Sequence, residues 1–483
     1  MTKMARATGA ISAVTLALLA SGPVVLPRPA MAAEGSAADR LLQRLEALET
    51  RVRLLEARNA ELEAAALKTA APVSTSGASS ASSVLSVASS TTPAVAVAVS
   101  SPAPVAVAAA QSDFTIKPRA MVHMDFAAFH ARAGGYDFNN GTDLRRGRFG
   151  LEGTLYTAFK WRVDAEFVKK STKLLDAYLQ YAVSPRLSVT IGQHKAPFGL
   201  EGNSSDAINT FMERGMAVNA FSAVGAERRV GVSLAYTTPH LMAAFGVFGS
   251  GEDVTRNATT PDEGYGVNGR VVVVPVQDKT TTLQLGVAGY HATNFAADSV
   301  SVGDRPGVRV DDGNLIEAKS ITHVRDADYV GAEAIAIHGP FSVQGEYGRL
   351  MLSRDAGLAN LDFDGFYVFG SWVLTGEQRA VKNGVVDRLK PLAKFDPRAG
   401  KWGAVELAAR YDQLDLTDTG LSPLTRKAVT WTGAVNWYLN PYARILFNYI
   451  RFKGTNSPLV ASPLVDGATA KGDAFATRLQ FDF

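Results

Sequence analysis

Cysteine is missing from all 483 residues of the chain. A disulfide framework, a thiol nucleophile and a Cys-based metal site are therefore excluded. Long apolar runs are missing too. Beyond the first thirty or so residues, nothing approaches the ~20 apolar residues of a membrane-spanning helix. If this chain crosses a membrane, strands must do it. Charge of one sign is not in excess: 49 Lys+Arg face 46 Asp+Glu, a net charge of +3. Residues 1–112 hold 9 basic and 7 acidic side chains, which leaves 40 and 39 for the remainder. That balance gives no electrostatic footprint for nucleic acid. The 7 histidines are scattered. No HExxH, GxSxG or GxxxxGK[ST] pattern occurs, so neither an enzyme nor a cofactor is expected.

The most telling feature present is the last strand. Phe475, Thr477, Leu479, Phe481 and Phe483 share one face, while Ala476, Arg478, Gln480 and Asp482 share the other. A complete apolar face opposite a polar one fits lipid on one side and water on the other, the dyad pattern of a transmembrane β-barrel. A strand that closes the barrel would end in this way.

Four segments follow from composition. Residues 1–32 read as an export signal: Lys3 and Arg6 precede a short apolar core, Ile11 to Leu19, and Ala30-Met31-Ala32 offers small residues for cleavage. Residues 36–68 read as a coiled coil. Leu41, Leu45, Leu48, Val52, Leu55, Asn59, Leu62 and Ala66 alternate spacings of four and three, which specifies a seam buried against partner helices. The alternative is a lone amphipathic helix. Residues 69–112 are mostly Ala, Val, Ser, Thr and Pro, without charge. They bury too little apolar surface to offset ordering entropy and read as a disordered tether. Residues 113–483 carry the strands.

Those strands alternate apolar with charged residues, as in Trp161 to Phe167, Leu175 to Tyr181 and Val405 to Asp412. Connections alternate in length. Ser184-Pro185-Arg186, Thr238-Pro239-His240, His338-Gly339-Pro340 and Asn440-Pro441 are short, whereas 200–224, 249–264, 296–328 and 454–472 are long. Short turns on one side and long loops on the other are the habit of outer-membrane barrels. The count gives about sixteen antiparallel strands. Residues 376–401 break the scheme, being a long connection where a short turn is expected.

The segments Arg145-Arg146-Gly147-Arg148, Ile191 to Glu201 (IGQHKAPFGLE), Trp402 to Tyr411 (WGAVELAARY) and Asn436 to Pro441 (NWYLNP) resemble the phosphate-selective porins O and P. The likeness runs from about residue 115 to Phe483. It implies a homotrimer of sixteen-stranded outer-membrane barrels, a third loop folded into the lumen, and a pore lined by Arg and Lys that passes phosphate, polyphosphate or chloride. Members often carry an N-terminal coiled coil. The strand 267–274 departs from the family's dense arginine ladder, since it holds only Arg270.

Strand alternation then points Arg146, Arg148, Arg162, Arg229, Arg270, Arg410, Arg444 and Arg478 inward. Lys195 falls where the fifth strand enters the inserted loop, with His194 beside it. Arginine suits oxyanions because its planar fork donates paired hydrogen bonds. Inward acids oppose these cations: Glu152, Asp164, Glu166, Asp176, Glu346, Glu406, Asp412 and Asp482. The loop at 200–224 is the expected constriction, with a short helix over Ser204–Gly215. The sequence reading is an outer-membrane channel for small anions. A non-selective pore is the alternative, as is an envelope tether in which the coiled coil binds the cell wall or a periplasmic partner.

Overall fold

The computed structural model describes residues 114–169, 171–249, 264–293 and 299–483. The expected signal, coiled coil and tether lie outside the described residues. Nine strands open the described chain: β1 (Phe114–Ala133), β2 (Gly141–Leu155), β3 (Phe159–Val168), β4 (Ser171–Ala182), β5 (Leu187–Lys195), β6 (Arg228–Thr237), β7 (Leu241–Phe248), β8 (Gly266–Gln277) and β9 (Thr281–Thr293). A hairpin of β10 (Ser299–Asp304) and β11 (Ile316–Thr322) interrupts them. Then come β12 (Val324–His338), β13 (Phe341–Arg354) and β14 (Leu361–Val373), a two-residue hairpin β15 (Val381–Lys382) and β16 (Val385–Val386), and finally β17 (Ala404–Asp415), β18 (Lys427–Asn440), β19 (Ala443–Thr455) and β20 (Thr469–Asp482).

Sixteen of these close an antiparallel barrel in chain order, omitting only the two hairpins. Closure is by β1 against β20, from Met121 opposite Asp482 to Ala133 opposite Lys471. Closing the sheet removes the unpaired edges that lipid could not solvate. The two-residue period decides what faces where. Along β20, Phe475, Leu479 and Phe481 are exposed, whereas Ala476, Arg478, Gln480 and Asp482 are buried in the interior. Elsewhere Ile191, Phe245, Val287, Val343 and Trp431 are more than half exposed. On a soluble protein that belt would be a liability; against acyl chains it is the stable arrangement.

Turns between β2–β3, β4–β5, β6–β7, β8–β9, β12–β13 and β18–β19 are short and share one end of the barrel. The longer connections share the other, together with the two-residue link between β3 and β4. The connection 374–403 belongs to the turn end, and it is long because it folds up into the lumen. Arg379 clasps Glu406 through two bonds of 2.7 Å. The Gly384 carbonyl accepts from Arg270 at 2.6 Å, and Arg388 pairs with Asp482. Val386 packs on Leu200, Ile335 and Ile337. The strand count is therefore intact at sixteen. The long segment replaces a turn without adding to the barrel wall.

Candidate functional site

Between β5 and β6 the chain leaves the wall and crosses the lumen. Two helices flank the crossing, α1 (Leu200–Asn203) and α2 (Met216–Gly225). The helix expected over Ser204–Gly215 is not there. Wall side chains bond that stretch's carbonyls instead. Gln480 donates to Ala207 O at 2.8 Å, Asn436 to Thr210 O at 2.8 Å, Arg478 to Met212 O, and Arg410 to Glu213 O at 2.9 Å. Carbonyls held from outside cannot also serve an i to i−4 ladder.

Wall carboxylates hold the flanking helices. Glu346 on β13 accepts from the amides of Leu200 and Glu201, both at 2.7 Å, and from the Tyr367 hydroxyl. These amides are the unsatisfied donors of the α1 N-terminus. Asp412 on β17 accepts from Met216 N at 2.9 Å, opening α2. Gly199 is what allows the first clasp, because a Cβ there would stand 2.0 Å from Glu346 Oε2.

The loop divides the water-accessible lumen. A turn-side chamber of about 530 Å³ is bordered by Arg119, Arg148, Arg162, Asp164, Asp176, Tyr178, Lys195, Asp206, Arg228, Arg388 and Asp482. A loop-side chamber of about 400 Å³ is bordered by Arg145, Arg146, Arg148, Glu166, Lys195, Asp206, Arg214, Arg228, Asp304 and Arg309. Arg148, Lys195, Asp206 and Arg228 border both. They mark the partition between the chambers.

At the partition, Asp206 is the hub. It meets Arg214 at 2.6 Å, Arg148 at 2.8 Å and Arg146 at 3.1 Å. Burial alone would raise its pKa; Arg146, Arg214 and Arg148 outweigh that and hold the carboxyl well below the usual range. Glu213 is a second hub, meeting Arg145 at 2.7 Å, Arg478 at 2.9 Å and Arg309 at 3.3 Å. Burial again pushes up and is outweighed by Arg145, Arg478 and Arg309. Lys195 is different. Its Nζ donates to the carbonyls of Gly202 at 2.9 Å and Ser204 at 2.7 Å, and it makes no ion pair with a carboxylate among the described residues.

The nine cations expected to line the pore separate into two groups. Arg146, Arg148, Arg162 and Lys195 border the chambers. Arg162 bonds Glu152 at 2.8 Å. The other five border neither chamber and are spent on structure. Arg229 caps α2 through Val224 O at 2.8 Å. Arg270 is buried against Glu333 at 2.6 Å. Arg410 lies over the Phe211 ring, 4.6 Å from its centroid. Arg444 bonds Gln480 at 3.0 Å, and Arg478 bonds Asp125 across the closing seam at 2.7 Å. Alternation turns them inward but cannot tell lumen water from loop backbone. His194 is also engaged in the wall, with Gly192 O at 3.0 Å and Ser233 Oγ at 2.7 Å.

Several chamber residues escape a strict two-residue period. The register of β1 and β2 slips at His123/Met124, opposite Arg146 and Leu144. Arg145 is the extra residue of this bulge, and it turns inward to reach Glu213. A bulge commonly re-aims a side chain in this way. Arg228 stands opposite Lys195 in register, a signal that pairing β5 with β6 would have given. Arg214 and Arg309 come from loops and Arg388 from the turn-end segment, where period carries no information. No group of three or more His, Asp or Glu able to hold a metal ion occurs among the described residues.

The comparisons agree with this geometry. A protein of Caulobacter vibrioides described only as uncharacterised is 28% identical, covering 77% of this chain and 74% of its own. The anion-selective porin of Comamonas acidovorans superposes with a TM-score of 0.50 at 14% identity, covering 76% of this chain and 100% of its own. The outer-membrane protein OmpT of Vibrio cholerae gives 0.48 at 13% identity, over 77% and 99%. At 14% identity the Comamonas acidovorans structure speaks to the fold alone. The family model of phosphate-selective porin O and P matches residues 115–483. With its closed sixteen-stranded barrel and inserted loop, the chain belongs to the phosphate-selective porin O and P family, outer-membrane barrels that form channels.

Proposed function

We propose that the channel passes small anions passively, with phosphate a plausible cargo, and that Lys195, Arg146, Arg148 and Arg162 are the side chains such an anion meets. One observation carries the reading. With Lys173 and Glu227 added to the residues named above, eight cationic side chains border the loop-side chamber against four carboxylates. Counting Glu213 just behind Arg145 and Arg309 still leaves an excess of three. The turn-side chamber holds six against five. An anion entering from the loops is therefore concentrated above the partition, and the near-neutral chamber below releases it. Binding strong enough to enter and weak enough to leave is what conduction requires. At the partition Lys195 Nζ is held by two loop carbonyls and makes no ion-pair contact with a carboxylate among the described residues, so we assign the selectivity to it.

The test is the zero-current potential of the reconstituted barrel across a KCl gradient, with and without added phosphate. An anion-signed potential that Lys195→Gln brings toward zero, with phosphate blocking chloride current, is expected. A potential near zero in the wild type refutes the proposal. It would favour the second reading, a non-selective diffusion pore, which the pairing of Arg146 and Arg148 with Asp206 and Glu166 supports. Assembly as a homotrimer, and a cell-wall or periplasmic partner for residues 36–68, are further parts of the proposal that rest on the sequence.

A further inference from the structure

The outward face of the barrel carries a second basic site, at the loop end of β19, β20 and β1. Lys453 and Lys471 stand directly opposite each other in register. Both are exposed, and neither has an ion-pair partner among the described residues. Like charges directly opposed across a strand pair are destabilising. Arg451, the next outward residue of β19, is also exposed; it stands opposite Asp473 in register and makes no ion-pair contact among the described residues. Arg132 on β1 adds a fourth cation, half-exposed and paired with Asp473. Four cations thus meet a single carboxylate. At the same level across the barrel the outward cations are neutralised: Arg349 meets Asp362 at 2.8 Å, and Arg325 meets Asp326 at 2.6 Å.

The position of the patch relative to the membrane says what neutralises it. Tyr449 and Phe475 pack at 4.9 Å, and Tyr411 and Trp431 at 4.8 Å, on the loop half of neighbouring strands. Aromatic girdles of this kind mark the boundary of the hydrocarbon layer. Lys453 is four residues further along β19 than Tyr449, about 14 Å along the strand and roughly 10 Å along the normal at a usual tilt. That is headgroup depth, on the side where long loops place the outer leaflet.

We infer that Arg451, Lys453, Lys471 and Arg132 form a docking site for an anionic glycolipid headgroup of the outer leaflet, distinct from the anion path inside. A lipid fits better than free phosphate, because the apolar belt immediately below the cations would receive its acyl chains. It also fits better than a second copy of the chain, since two such patches would repel.

The test uses the full chain in detergent micelles, titrated with bis-phosphorylated lipid A and followed by native mass spectrometry. Lys453→Gln/Lys471→Gln should bind roughly 30-fold more weakly than wild type, from the usual worth of two surface cations against anionic lipid. Arg349→Gln/Asp362→Asn should bind as wild type does. Lipid A stripped of its phosphates should bind both proteins poorly, and inorganic phosphate should not compete at millimolar levels. Bilayer conductance should stay unchanged, since both lysines face away from the lumen. Equal affinity of the lysine variant and wild type would overturn the inference. So would equal binding of the stripped lipid, competition by inorganic phosphate, or a change of oligomeric mass in the lysine variant with lipid binding intact.

Discussion

Asp206→Asn tests whether charge at the partition sets selectivity. The carboxylate faces both chambers and contacts Arg146, Arg148 and Arg214. Removing it deletes one negative charge from the partition between the chambers and leaves the guanidiniums in place. For an ion passing at about 5 Å, the Coulomb change in bulk-water dielectric is about 0.8 kcal/mol. Screening across half a Debye length at 0.1 M trims that to roughly 0.5 kcal/mol. An anion gains this amount and a cation loses it, so the permeability ratio should rise roughly five-fold in favour of chloride. The assay is reversal potential in a KCl gradient, repeated at high salt, where the gain should shrink. Asp206 also helps seat the loop, so single-channel conductance must be read alongside. Glu166→Gln makes the control: it faces Arg146 and Arg148 from β3 and holds no part of the loop. An unchanged ratio in both variants, at unchanged conductance, would refute the electrostatic account.

Gly199→Ala should unseat α1, because its Cβ would displace the Glu346 carboxylate from the two amides it holds. Each such bond is worth about 1.5–3 kcal/mol, so larger and noisier single-channel currents are expected; steady wild-type currents would count against the clasp. The inserted loop should also resist acid. Asp206 and Glu213 have folded-state pKa values well below normal. Their contribution is therefore present above the unfolded carboxylate pKa of about 4 and is lost only as pH falls through the lower folded values. The contribution of these two hubs, read as the conductance difference between wild type and Asp206→Asn, should hold steady from pH 8 to about 4 and change only below that; a step in that difference between pH 5 and 7 would contradict it.

The wall of this molecule is legible in its sequence because a strand has only two faces and the solvents on them differ. Phe475, Leu479 and Phe481 against Arg478, Gln480 and Asp482 state the answer outright. The lumen is harder to read, because three things are found inside: water, loop backbone and the turn-end segment. Arg148 and Arg410 obey the same alternation, yet one borders a chamber and the other holds Glu213 O. Only the path of the loop distinguishes them. The period also fails where the chain inserts a residue, as at Arg145, and where a segment such as 374–403 is held by distant strands. Its partners Glu406, Arg270 and Asp482 each looked complete as parts of the wall.

Arg478 gives the closing seam a second meaning. Its guanidinium bonds Asp125 on β1 and Glu213 on the loop, while the residue itself belongs to β20. The two ends of the barrel and its internal restriction are thus joined at a single side chain. Closure and restriction are therefore not independent properties of this barrel: one substitution at Arg478 would loosen the seam and the loop together.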